Sequence, residues 1–125
     1  MLGKFPVAAT IPVTDLTRAK NFYVNKLGLT LVKESPAGIT LKSGNSEISL
    51  YKRGPSKADH TLAHFKVVNL EQVIDGLTAK GVAFEHYDYP TLKTNEKGIA
   101  TMSDGGKGAW FKDPDGNILG IGEFV

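Results

Sequence analysis

His64 and Glu85 are the two side chains in this sequence best suited to move a proton. An imidazole changes charge near neutral pH, and a carboxylate can orient it or accept its proton, so together they are the candidate acid–base pair. The other histidines suit that work less well. His60 sits in a polar stretch rich in helix and strand breakers, where an exposed loop residue is expected, and His86 alternates onto the side opposite Glu85. There are no cysteines, which excludes disulfides, thiolate metal sites and a cysteine nucleophile. No G-x-S-x-G, phosphate-loop or G-x-G-x-x-G pattern is present. Gly105-Gly106-Lys107-Gly108 carries the glycines of a phosphate cradle, but no helix follows it, so it reads as a hairpin loop. Rings offer a second kind of chemistry. Tyr51, Tyr87, Tyr89 and Trp110, with Met102 as a soft filler, make apolar walls with polar tips, suited to a flat organic molecule.

The elements that must position these residues follow from hydrophobic period and breakers. Phe5 to Val13 reads as a strand. Asp15 then caps a helix whose stripe is Leu16, Ala19, Phe22, Tyr23 and Leu27, stopped by Gly28. Leu29 to Glu34, Ile39 to Lys42 and Glu47 to Lys52 read as strands separated by turns. Residues 54–60 are polar and rich in breakers, a linker. After it the pattern restarts with a strand over Leu62 to Val68 and a helix capped by Asn69, with Gln72 as its capping-box partner. The helix stripe is Leu70, Val73, Ile74 and Leu77. Strands are expected over Val82 to Tyr89 and Ile99 to Ser103. Two last apolar runs, Gly108 to Phe111 and Ile118 to Val125, flank Asp113-Pro114-Asp115-Gly116, a tight hairpin turn.

The order βαβββ is thus written twice, over about residues 5–53 and 61–124. The 125 residues fit a single α+β domain made of these two modules. Each half-sheet has a helix on one face only. Two of them side by side form a curved mixed sheet whose free face is a cup-shaped cavity, the natural place for a ligand. Strand alternation puts Ser49 on one side with Tyr51, Leu62 with His64, and Glu85 with Tyr87 and Tyr89, and it puts Trp110 on the side opposite Phe111. The hydrophobic share of 41% and charged share of 22% are those of an ordinary globular chain. The net charge of +2 comes with scattered lysines and no dense basic run, which argues against nucleic-acid binding. No apolar stretch approaches a membrane span, the N-terminus lacks a signal-peptide pattern, and a cytoplasmic location is expected.

Val13-Thr14-Asp15-Leu16, a helix carrying Phe22-Tyr23, Lys26-Leu27-Gly28 and Phe111-Lys112-Asp113-Pro114-Asp115-Gly116-Asn117 occur in that order. In this the chain resembles the vicinal oxygen chelate superfamily of glyoxalases, extradiol dioxygenases and bleomycin resistance proteins, from about Ala8 to Phe124. The resemblance implies paired βαβββ modules and a homodimer. It also implies a metal site on four strands, at positions that fall here on Ala8, Ser49, Leu62 and Gly120. Ala, Leu and Gly offer a divalent ion no side-chain donor, and Ser a weak one, so no metal or other cofactor is expected. The expected function is that of a glyoxalase- or bleomycin-resistance-like protein binding a small organic molecule in the cup through Ser49, Tyr51, His64, Tyr87, Met102 and Trp110. The alternative is a lyase or isomerase of the same superfamily, metal-free or with a rearranged metal site, using His64 and Glu85.

Overall fold

The computed structural model describes residues 1–124, so Val125, the end of the last apolar run, lies outside the described residues. The chain divides into two compact units, Met1–Ser56 and Lys57–Val125, and neither helix nor strand occupies the stretch between Lys52 and Thr61.

The first unit opens with a short 3-10 turn, Leu2–Lys4, followed by β1 (Ala9–Val13) and α1 (Leu16–Lys20). A wider turn, Asn21–Lys26, extends α1, and β2 (Thr30–Ser35), β3 (Gly38–Ser43) and β4 (Ser46–Lys52) complete the unit. The strand order is β1-β4-β3-β2, with β1 parallel to β4 and the other pairs antiparallel. The strand expected from Phe5 begins only at Ala9. Its pairing starts opposite Ile48, and Pro6 has no N–H to extend the ladder. Pro12 is accommodated because β1 is an edge strand. Asp15 caps α1 as expected, its Oδ1 accepting from the Arg18 amide at 3.0 Å. Beyond Lys20 the helix widens: the Leu27 amide donates to the Phe22 carbonyl, five residues back, before Gly28 ends it at φ +83°. Ala19, Phe22 and Tyr23 are buried, as are Ile11, Val13, Ile39, Leu41, Ile48 and Leu50 on alternate strand positions. Ser49 lies opposite Thr10 and Thr40, and Tyr51 opposite Pro12, on the other face.

The second unit contains β5 (Thr61–Lys66), α2 (Leu70–Ala79), a two-stranded hairpin β6 (Asp88–Tyr89) and β7 (Leu92–Lys93), then β8 (Ala100–Thr101), β9 (Lys107–Lys112) and β10 (Ile118–Glu123). Its sheet order is β5-β10-β9-β8, with first and last strands again parallel. The protein is therefore a mixed α+β fold of two open four-stranded sheets with few helices. Of the strand expected over Val82 to Tyr89, only the end forms, as β6. Phe84 alone bridges to Phe111, and the Glu85 amide donates to the Trp110 carbonyl at 2.8 Å. Farther along that edge of β9, Gly108 and Lys107 are already paired with Ala100 and Thr101, so the chain must leave the sheet after Glu85 and forms the hairpin instead. The strand expected over Ile99 to Ser103 shortens to β8, since the chain turns at once: the Met102 amide donates to the Gly106 carbonyl at 2.7 Å.

The cap of α2 also differs from expectation. Asn69 sits in the left-handed region at φ 56° and makes no side-chain cap, and the Leu70 amide instead donates to Glu123 Oε1 at 3.0 Å. A carboxylate from β10 thus meets the positive end of the helix and ties it to the sheet. Glu123→Ala should lower stability by about 1 kcal/mol, whereas Asn69→Gly, which removes the left-handed strain, should leave it unchanged or raise it. Urea unfolding of the two variants checks this, and the reverse ranking would mean that Asn69 is the cap.

Candidate functional site

On the second sheet His64 of β5 pairs with Gly120 of β10, which pairs with Trp110 of β9, so the three stand in one row across three strands. In the next row Lys66 faces Gly122, and Gly122 faces Gly108. The glycines seat aromatic rings. A Cβ on Gly120 would stand 3.3 Å from Trp110 Cδ1 and Nε1, and a Cβ on Gly108 would stand 3.3 Å from Trp110 Cη2. The indole therefore lies along the sheet over both positions. A Cβ on Gly122 would come within 2.9 Å of Phe124 Cζ, so that ring lies over Gly122. Glycine weakens a strand, and its use at facing positions on neighbouring strands marks a place where something bulky must approach the backbone.

The result is a cavity of about 330 Å³, walled by Trp110, Phe124, Met102 and His64. Its lining is predominantly apolar, with Thr61, Asp104 and Lys107 as further polar groups. The His64 ring meets Phe124 edge to face, with centroids 5.8 Å apart. Asp104 Oδ1 accepts from the Gly106 amide at 2.9 Å, which holds the 104–106 turn. Thr61, not Leu62, shares this cavity with His64. The pairing of β10 with β5 shifts between Ile118 and Leu119, where Thr61 and Ala63 are successive partners and Leu62 is the extra residue.

Beside the cavity, Tyr87 packs edge-on against Trp110 at 5.8 Å and nearly parallel to Tyr89 at 6.0 Å. Partial burial pushes the Tyr87 phenol above its ordinary pKa, and the nearby Glu85 charge and Tyr89 add to the shift. Glu85 does not line the cavity with His64; its carboxylate lies 3.5 Å from Lys112 Nζ. The candidate acid–base pair is thus not assembled. His86 contacts the Asn95 carbonyl through Nδ1 at 3.2 Å, and His60 sits beside Asp59 on the surface. In the first unit, Ser49 and Tyr51 line a depression of about 380 Å³ with Lys33, Glu34 and Thr40.

The residues do not fit a divalent ion. Among the described residues, no three His, Cys, Asp or Glu side chains come together. Gly120, the position of the implied metal set that lines the cavity, could not carry a ligand side chain without shifting the indole. No metal-dependent step is assigned to this site.

Phe124, Lys107, Asp104 and Thr61 were missed in sequence. Phe124 lies beyond the last strand, Lys107 and Asp104 border a glycine loop, and Thr61 reaches the cavity only through the irregular register. The signal that could have found them is the glycine set at 108, 120 and 122.

A sequence profile of the Glyoxalase/Bleomycin resistance protein/Dioxygenase superfamily matches residues 6–121, and the chain belongs to that superfamily. No curated protein matches the sequence. Solved structures with the same fold include a glyoxalase family protein from Enterococcus faecalis, 26% identical, with a TM-score of 0.75 over 98% of this chain and 100% of that one. A lactoylglutathione lyase from Agrobacterium tumefaciens is 19% identical, with a TM-score of 0.74 over 96% and 93%. An antibiotic binding protein from a Streptomyces species is 21% identical, with a TM-score of 0.71 over 100% and 99%. Among the described residues no helix is long and apolar enough to cross a membrane.

Proposed function

We propose that this protein binds a small, largely apolar organic molecule on the second sheet, without a metal ion, and acts as a homodimeric binding protein of the superfamily rather than as one of its metalloenzymes. The observation that carries this reading is the glycine-seated ring wall, with Trp110 lying where a metal-ligating side chain at position 120 would need to be. Such a wall supplies dispersion and ring contacts while His64, Asp104 and Lys107 supply orientation. The engagement of Glu85 by Lys112 favours binding over acid–base catalysis. An antibiotic binding protein of the same fold lends the reading further support.

Trp110 is the chain's single tryptophan, so it reports on its own site. Titration with a panel of planar and cationic organic compounds should shift or quench its emission for at least one of them. Trp110→Ala should then weaken that compound's binding at least tenfold, as loss of a central aromatic anchor does. A panel without any response, or an unaffected affinity in Trp110→Ala, would remove the cavity as the binding site.

A further inference from the structure

We infer that the cavity is one end of a longer site, in which Tyr87 and Tyr89 continue the Trp110 wall as a second aromatic subsite, selecting elongated ligands with two linked ring systems. The inference rests on the binding reading above and goes further, to the shape and chemistry of the ligand.

Trp110 belongs to both places. It walls the cavity, and it meets Tyr87 at 5.8 Å, with Tyr89 6.0 Å beyond. Tyr87 and Tyr89 share one side of an extended segment by their two-residue spacing, and their rings stack within 26° of parallel, so they form an aromatic ledge beside Trp110. Tyr89 is 58% exposed although it is a large ring at the end of that ledge.

The ledge is held in place before any ligand arrives. The Tyr87 amide donates to Thr94 Oγ1 at 2.8 Å, and the Thr94 amide donates to the Tyr87 carbonyl at 2.9 Å, which closes the base of the β6–β7 hairpin. The Glu85 amide pins the preceding residues to β9 through the Trp110 carbonyl. The Glu85 and Lys112 charges, two residues before Tyr87 and two after Trp110, pair with one another. A fixed aromatic pair with one ring largely exposed binds a further ring by stacking or edge contact at little ordering cost. A ligand with one ring system occupies the cavity alone, and a linked second ring gains the ledge.

The test compares 2-naphthol with 6-phenyl-2-naphthol by calorimetry on the full chain, and its readout is the ratio of the two affinities. The expected result is at least tenfold tighter binding of the phenyl-extended probe. Tyr87→Ala should bring the ratio to within threefold of unity, and Tyr89→Ala, which removes a largely exposed ring and threatens the fold less, should lower it in the same direction. Equal affinities in the unaltered protein, or a ratio that survives both substitutions, would overturn the second subsite while leaving the cavity reading intact. Absence of binding by both probes would overturn the cavity reading and the subsite with it.

Discussion

Replacing Asp113 by alanine should destabilise the protein by about 3 kcal/mol, the cost of losing several hydrogen bonds to one buried charge. Asp113 is 5% exposed and Asn117 only 1%. One carboxylate serves the whole turn. Oδ1 accepts from the Asp115 and Asn117 amides, each at 2.9 Å, and Oδ2 accepts from Asn117 Nδ2 at 2.8 Å. Alanine would remove the carboxylate that these buried Asn117 groups donate to, and a buried polar group that loses a hydrogen bond is costly. For a chain of this length the loss corresponds to roughly 10 °C in melting temperature. Pro114→Ala, at an exposed position of the same turn, is the control. A melting shift in Asp113→Ala no larger than the control's would show that the turn is held by other means.

Phe111→Ala should cost about 4 kcal/mol, within the range for emptying a buried aromatic site. Phe111 is fully buried, meets Phe84 edge to face at 5.6 Å and pairs with Leu119 across β9 and β10. It also anchors the one bridge that holds residue 84 to the sheet. Against a typical total of about 5–15 kcal/mol, this loss brings the fold near its limit. The neighbouring Trp110→Ala is expected to behave in the opposite way. Trp110 is half-buried on the other face, so its removal should cost much less stability and most of the ligand affinity. Chemical unfolding of the two variants, with the probe titration run on each, separates the roles. Equal stability losses would contradict this division of the strand into a structural face and a binding face.

Period and turn chemistry carried most of the fold. The alternation of Ile11 with Val13, of Ile39 with Leu41 and of Ile48 with Leu50 is visible in the letters, and so is the Asp15 cap. The Asp113–Asn117 turn is equally local: its bonds join residues two to four positions apart. Because these features depend on near neighbours, spacing alone was enough to find them, and their order twice over identified the superfamily.

The readings that failed depend on distant partners. Asn69 has the composition of a cap, but Glu123, 53 residues away, holds the Leu70 amide. Residues 82–89 have strand character, but the edge of β9 they would extend along is occupied by β8. Leu62 and His64 share parity in the sequence, but an irregularity against β10 brings Thr61 to the cavity with His64. Glu85 and His64 were paired as the available acid and base, and in the structure the Glu85 carboxylate lies by Lys112.

For the candidate site, the sequence by itself determined the residue inventory. It contains no cysteine, no donor at three of the four implied metal positions, and a single tryptophan three residues before the turn that begins at Asp113. What only the tertiary structure decided is where that tryptophan goes. The indole needs space over Gly108 on its own strand and Gly120 on the next, and Phe124 needs Gly122. Each glycine read alone is only a weak point in a strand. Cross-strand register alone brings the three together, and the rings that fill the space above them make the wall of the cavity.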